Sequence, residues 1–334
     1  MEPGVRIAFE LTGEHPTLPR ADALAALEAE RVTIRRVSFS PTLLIVDAVR
    51  PPLRALRRVA MSRYVETLVA YGPWMRILQG AERFDLHGRR FRVRAHGPFE
   101  PAEKAFLERR IGALLGRTGT VDLERPERDF RILQHGSDLV LGEIRHAVER
   151  SAFEARKSAR RAFSYPISLH PKLARALVNL SRCPVGGVLL DPFCGTGGIA
   201  IEAARLGIRV VASDVQGKMV TGTEAALRGF GPEARTFHAD VGEVSDRVGT
   251  VDGIATDPPY GRSTTTRGEP LLRLYRRAFA AFRKILPPGG YTAIILPSEE
   301  AIRIGEEYFD LEERHSLRVH RSLTRTFCAF VRRP

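Results

Sequence analysis

Val188-Leu189-Leu190-Asp191-Pro192-Phe193-Cys194-Gly195-Thr196-Gly197-Gly198 is the stretch whose reading decides the fold. The three leading apolar residues make a short buried strand, the glycine-rich run makes a turn, and the apolar spacing from Ile199 to Arg205 starts a helix. Strand, glycine turn and helix form the corner at which α/β proteins bind nucleotides. Glycines at 195 and 197 let the backbone approach a ligand where a Cβ would collide with it. A phosphate-binding loop would carry Lys and then Ser or Thr after its last glycine, and here that pair is missing.

The turn opens on an acid, Asp191, which repels pyrophosphate and suits a cationic ligand. S-adenosylmethionine, with its sulfonium and α-ammonium groups, is such a ligand. Three further acids follow in order. The strand Arg209-Val210-Val211-Ala212 ends at Ser213-Asp214, 23 residues beyond Asp191, where an acid binds a ribose diol. Thr236-Phe237-His238 leads to Ala239-Asp240, placed to meet an adenine amino group, and Asp252 to Thr256 delivers Asp257. Asp after a strand is often only a helix cap. Here each acid stands at the carboxyl end of a predicted parallel strand, which is where open α/β sheets bind ligands. Phe193, Gly195, Thr196 and Gly197 join Asp191, Asp214 and Asp240 as candidate cofactor contacts.

The fourth acid begins Asp257-Pro258-Pro259-Tyr260-Gly261. Two successive prolines fix two φ angles and remove two donors, so the carbonyls of the segment can point outward as acceptors. Tyr260 offers a stacking face for a flat ring. Carboxylate, carbonyls and aromatic ring are the parts needed to hold a planar amino group, and Asp257, Pro258, Pro259 and Tyr260 are the candidate catalytic residues.

On these residues, 171 to 334 resemble a class I S-adenosylmethionine-dependent methyltransferase, and Asp257 to Thr264 (DPPYGRST) resembles the RNA guanine N2-methyltransferases. Related Asn/Asp-Pro-Pro-Tyr runs serve adenine N6- and glutamine-methylating enzymes, so the tetrapeptide fixes amine chemistry without fixing the base. By the resemblance, Ser168 in Ser168-Leu169-His170-Pro171-Lys172 also contacts the cofactor.

Three cysteines, Cys183, Cys194 and Cys328, show neither a disulfide framework nor zinc-ligand spacing, and none follows proline as the nucleophile of a cytosine C5 methylase does. The nine histidines form no metal-binding cluster, and no metal is expected. No 18-residue apolar run and no signal-peptide pattern is found, so a cytoplasmic protein without a membrane partner is expected.

The net charge of +13 points to a polyanionic partner. Residues 51 to 100 carry 10 Lys+Arg against 4 Asp+Glu, and residues 151 to 200 carry 7 against 2. Arginine supplies 47 of the 52 basic residues and forks onto phosphate, although GC-rich coding would also enrich it.

The N-terminal half reads as small α/β units. Val5 to Leu11 and Leu43 to Val49 are strand-like, with a helix from Ala21 to Glu30 between them. Arg90 to Arg94 alternates as a strand with one basic face. Pro101 to Leu115 has an apolar helical face at Phe106, Ile111, Leu114 and Leu115, and Val121 to Leu123, Phe130 to Gln134 and Leu139 to Ile144 complete a sheet. Gly13 to Pro19 before a helix resembles the N-terminal ferredoxin-like piece of the archaeal tRNA (guanine(10)-N2)-methyltransferases, and residues 51 to 145 resemble a THUMP domain.

The resemblance implies a ferredoxin-like region over 1–50, a THUMP RNA-binding domain over 51–145, a basic linker over 146–170 and a seven-stranded, Rossmann-like class I methyltransferase domain over 171–334. It further implies methylation of the exocyclic N2 of a tRNA guanosine at position 10, to the mono- or dimethyl product. The catalytic subunit would be monomeric, and some relatives work with a small zinc-binding activator subunit. Arg92 and Arg94 on the basic strand, Arg160 and Arg161 in the linker, and Arg321 and Arg325 in His320-Arg321-Ser322-Leu323-Thr324-Arg325 are candidate RNA contacts. The last two equally fit the decoration of a hairpin turn. Guanosine-6 and ribosomal RNA guanosine N2-methyltransferases share both halves, and a non-catalytic RNA-binding assembly protein would be expected to have lost some of the four acids.

Overall fold

The computed structural model describes residues 4–50, 53–157, 168–228, 234–260, 268–320 and 323–333. The chain runs through β1 (Val5–Leu11), α1 (Leu18–Ala29), β2 (Ile34–Phe39), β3 (Leu43–Ala48), α2 (Leu53–Leu56), β4 (Ser62–Gly72), α3 (Trp74–Arg83), β5 (Arg90–Ala95), α4 (Pro101–Leu115), β6 (Thr120–Val121), β7 (Arg128–His135) and β8 (Asp138–Ala147). It continues through α5 (Arg150–Ala155), α6 (Pro171–Leu180), β9 (Val188–Asp191), α7 (Gly198–Ala204), β10 (Arg209–Asp214), α8 (Gly217–Leu227), β11 (Ala234–His238), α9 (Val244–Arg247), β12 (Gly253–Thr256), α10 (Leu271–Ile285), β13 (Tyr291–Leu296), α11 (Glu299–Glu306), β14 (Asp310–His320) and β15 (Leu323–Val331). Two compact units result: Met1–Pro16, Val32–Arg57 and Ser62–Val148 make the first, and Thr17–Arg31, Arg58–Met61 and Glu149–Pro334 the second.

The first unit is built on one eight-stranded sheet in the order β2-β3-β1-β4-β8-β7-β5-β6. Strands from 1–50 and from 51–145 share its ladder, for β1 pairs antiparallel with β4 across Phe9↔Val65. Two of its strands have no clear sequence signal. β2 is mostly exposed at the sheet edge and carries two arginines, while β4 buries Glu66, which interrupts its apolar pattern. Helices α3 and α4 cover one face, packing Ile77, Leu107, Ile111 and Leu115 against Phe91 and Phe130. The core face of α4 therefore runs through Leu107, Ile111 and Leu115 at i, i+4, i+8, and Phe106, read as core, is 55% exposed.

The second unit holds a seven-stranded sheet in the order β11-β10-β9-β12-β13-β15-β14. The first five strands are parallel, and β15 enters antiparallel between β13 and β14. This is the expected class I methyltransferase sheet, with its order reversing between β9 and β12. That reversal opens a crevice at the carboxyl ends of the strands. The core combines Leu190, Ile254 and Ile294 from the strands with Tyr275, Phe279 and Phe282 from α10.

Helix α1 belongs to this second unit. Its alanines Ala21, Ala25 and Ala29 are buried and permit close approach to α6. Asp22 is fully buried and accepts hydrogen bonds from the backbone N–H groups of Ala60 (2.8 Å) and Met61 (2.9 Å) and from Asn179 Nδ2 (2.7 Å). Arg58, also buried, reaches Glu30 at 2.6 Å and the Cys183 carbonyl at 2.8 Å. A buried carboxylate and guanidinium are tolerated here because these partners occupy them.

Candidate active site

A cavity of about 390 Å3 opens at the carboxyl ends of the second unit's parallel strands. Among the candidate residues, Ser168, Phe193, Gly195, Thr196, Asp214, Asp240, Asp257, Pro258, Pro259 and Tyr260 line it. They arrive from different strand ends, and the parallel register brings them level: Ala212 pairs with Asp191, and Asp214 with His238.

The glycine turn explains one wall. Gly195 has φ +50° and Gly197 φ +75°, the left-handed region that glycine enters without strain. Gly195 lines the cavity, and beyond its chain neighbours a Cβ there would meet no atom nearer than the Phe193 carbonyl oxygen at 4.0 Å. Gly197 lies behind the wall, where a Cβ would come within 3.1 Å of the Thr223 side chain. The Gly195 N–H donates to Asp214 Oδ2 at 3.0 Å, and the Thr223 hydroxyl donates to the Gly195 carbonyl at 3.0 Å. Ser168 Oγ lies 2.9 Å from Thr196 Oγ1.

Asp191 does not line the cavity. It is 1% exposed and accepts from the Thr256 hydroxyl at 2.8 Å, tying the end of β9 to the end of β12. Burial pushes its carboxyl up to about 7, against the Thr256 bond, and the nearby charges of Asp214 and Asp257 act in the same direction as burial. Its place is under the turn, so it positions the glycine loop. Asp214 is also raised by burial, opposed by the backbone N–H groups of Gln216 and Gly195.

Asp240 is held by Arg277, which also takes both oxygens of Glu269 at 2.7 and 3.0 Å. Glu269 stands in the cavity wall. Sequence reading missed this pair and Tyr275, whose hydroxyl donates to the Pro259 carbonyl at 2.8 Å. The Pro259 carbonyl therefore faces α10 and is occupied there, although the two prolines leave the carbonyls of this segment able to point outward. The one sequence signal was helical spacing: Arg277 stands three residues after Leu274, itself a cavity residue, and so shares its face.

The Tyr260 hydroxyl donates to Asp257 Oδ1, in a close contact that keeps the carboxylate beside the ring. Burial raises the Asp257 carboxyl, while the Arg325 charge and the Tyr260 bond pull the other way. The Arg325 guanidinium lies 5.6 Å from the Tyr260 ring centroid and lines the cavity.

The candidate RNA contacts are dispersed. Arg92 pairs with Asp129, directly opposite it in the β5–β7 ladder, and Arg94 reaches Glu108 at 3.3 Å. The basic face read from β5 is thus countered by acids on neighbouring elements. Arg160, Arg161 and Arg321 lie outside the described residues. Among those residues no group of three or more His, Cys, Asp or Glu could hold a metal, and no helix is long and apolar enough to cross a membrane. Cys194 is buried in the turn, and burial raises its thiol well above the ordinary range.

The residues fit S-adenosylmethionine on structural grounds: a glycine in the wall with open space about its Cα, carboxylates beside it, and apolar surface from Ile199, Met219 and Leu274 for a flat ring.

Residues 158–327 match the family model described as UPF0020, RMKL-like, methyltransferase domain. The chain is 34% identical to the tRNA (guanine(10)-N2)-dimethyltransferase of Methanothermobacter thermautotrophicus over 324 residues, covering 94% of this chain and 96% of that protein. It is 33% identical to the tRNA (guanine(6)-N2)-methyltransferase of Thermus thermophilus, covering 83% of this chain and 77% of that one. The crystal structure of TrmN from Thermus thermophilus shares its fold, with a TM-score of 0.53 at 24% identity over 98% of this chain and 99% of that chain.

Proposed function

The chain belongs to the tRNA (guanine-N2)-methyltransferase family that the archaeal guanine(10) enzymes represent, and from that premise we propose that it methylates the exocyclic N2 of guanosine 10 in tRNA, using S-adenosylmethionine. One observation carries the reading: Asp257, Pro258 and Tyr260 share a single cavity with the glycine turn and Asp214. Position 6 is the second reading, favoured by the 33% identity to the Thermus guanine(6) enzyme.

Bound S-adenosylmethionine supplies an electrophilic methyl group. Asp214, Asp240, Ser168 and the Phe193–Gly197 turn would hold it, with Asp191 and Gly197 supporting the turn from behind. The guanine N2 is a weak nucleophile because its lone pair is delocalised into the ring. Asp257 and the Pro258 carbonyl accept the amino hydrogens, which favours a pyramidal nitrogen with its lone pair aimed across the cavity. Tyr260 stacks on the base, which must leave the RNA stack to enter. As the nitrogen is alkylated its proton becomes acidic, and Asp257 accepts it. Most of the acceleration comes from holding the reacting atoms in line.

The N-terminal half would bind RNA, with 1–50 as a ferredoxin-like region and 51–145 as a THUMP domain. The protein would act in the cytoplasm, alone or with a small zinc-binding activator subunit. Incubating the purified chain with unmodified tRNA transcript and labelled cofactor, then mapping the nucleotide and counting methyls, tests the whole reading. Label found only in DNA, or only on adenosine, overturns it, and turnover without a second protein removes the activator subunit.

A further inference from the structure

Between the Cα of Asp257 and the amide nitrogen of Tyr260 the backbone has one soft dihedral. Pyrrolidine rings fix φ at Pro258 and Pro259, and each proline confines the residue before it, so ψ of Asp257 and ψ of Pro258 are held in the extended range. The ψ angle of Pro259 stays free, because Tyr260 and not a third proline follows it. Rotation there swings the Pro259 carbonyl and carries Tyr260 with it. Neither proline has an N–H, so the polar handles by which the protein can hold them are their carbonyls. Tyr275 takes the Pro259 carbonyl at 2.8 Å, and its hydroxyl is the donor because a carbonyl only accepts. Tyr275 is fully buried on α10 in a cluster with Phe279 and Phe282, so that hydroxyl hangs on a ring held by core packing. Burial and the Asp257 charge push it above its ordinary range, which keeps its proton in place.

We propose that Tyr275 is a positioning residue for methyl transfer: by holding the Pro259 carbonyl it locks the free ψ angle and so sets where Tyr260 meets Asp257 and the base. This rests on the amine-holding role given above to the run from Asp257 to Tyr260. Downstream of the locked dihedral, the Tyr260 hydroxyl donates to Asp257 Oδ1 and closes the run on itself. Asp257, Pro258, Pro259 and Tyr260 all line the cavity, whereas Tyr275 is not among its lining residues, so it acts through them. A phenylalanine at 275 keeps the ring in the core and loses the hydrogen bond. The dihedral is then released, and the Pro259 carbonyl is left without that donor.

The test uses the full-length protein and tRNA transcript. Single-turnover methyl transfer at saturating tRNA and cofactor is measured for wild type, Tyr275→Phe, Tyr260→Phe and the double variant. Each rate is divided by the sites counted in a calorimetric titration with S-adenosylhomocysteine, so a variant with fewer folded molecules still reports correctly. Tyr275→Phe should slow transfer by about 10- to 100-fold, the cost of misplacing a reacting group by a fraction of an ångström to an ångström, and should leave S-adenosylhomocysteine affinity unchanged. In the Tyr260→Phe background, where the hydroxyl link to Asp257 is already gone, the same substitution should cost a smaller factor. A Tyr275→Phe rate equal to wild type, the same factor in both backgrounds, or a matching fall in S-adenosylhomocysteine affinity overturns the assignment. Label absent from guanine N2 in the wild-type arm would instead overturn the N2 reading, and the Tyr275 comparison is then made on the amine that the wild type does methylate.

Discussion

The Thr256 hydroxyl donates to Asp191 Oδ1 at 2.8 Å across the two strands that flank the topological switch, in a site where Asp191 is almost completely buried. The first acid of the glycine turn is thus part of the scaffold beneath the cavity.

A pH dependence follows from that placement. Burial pushes the Asp191 carboxyl up to about 7, from an ordinary value of 3.8. Between those values the unfolded chain has lost the proton while the folded chain retains it, so stability falls as pH rises through the window and levels off above it. Asp191→Asn removes this contribution. Melting temperatures of the two proteins, compared at about pH 5 and about pH 8, should shift in favour of the variant at the higher pH. A constant difference would show that Asp191 titrates normally in the fold.

Asp257→Asn should lower the methyl-transfer rate by roughly 10²- to 10⁴-fold, because an amide cannot accept the proton. Tyr260→Phe keeps the stacking face and loses only the donor to Asp257, so it should be the milder of the two. Cofactor affinity, measured by calorimetry, should change little in either. Near-normal turnover of Asp257→Asn would remove the assigned role.

Glu202, fully buried on α7, is gripped by Arg156 at 2.7 Å and by Arg175 at 2.8 Å. Removing its charge leaves Arg175, itself buried, without its carboxylate, at a cost of about 3–5 kcal/mol. Urea denaturation of Glu202→Gln measures this directly. A loss below about 1 kcal/mol would mean that the cluster acts like an exposed pair.

Arg92 and Arg94 already face Asp129 and Glu108, so their contribution to a polyanion field is small. The double variant Arg92→Ala, Arg94→Ala should leave the slope of log affinity for tRNA against log salt nearly unchanged. A slope reduced by about 2 would show that both contact phosphate.

What the sequence determined by itself was local or periodic. The strand–glycine turn–helix run at 188–198, the acids at strand ends and the closing antiparallel pair were legible because each depends on residues near one another in the chain. The edge strand β2 and the strand β4 were not, since arginines at the edge and buried Glu66 erase the apolar alternation that marks a strand. The basic face of β5 was read correctly as a pattern, but its charge balance was set by Asp129 across a parallel ladder and Glu108 on a helix.

Tertiary structure alone decided which groups surround the cavity and which lie behind its wall. It put Asp191 below the cavity, turned the Pro259 carbonyl to Tyr275, clamped Asp240 with Arg277 and brought Arg325 beside Tyr260. Each of these joins residues from separate strands, helices or turns. The physical reason is that burial and strand direction, which fix where a charge sits and what it meets, are properties of the packed sheet rather than of any short run of sequence.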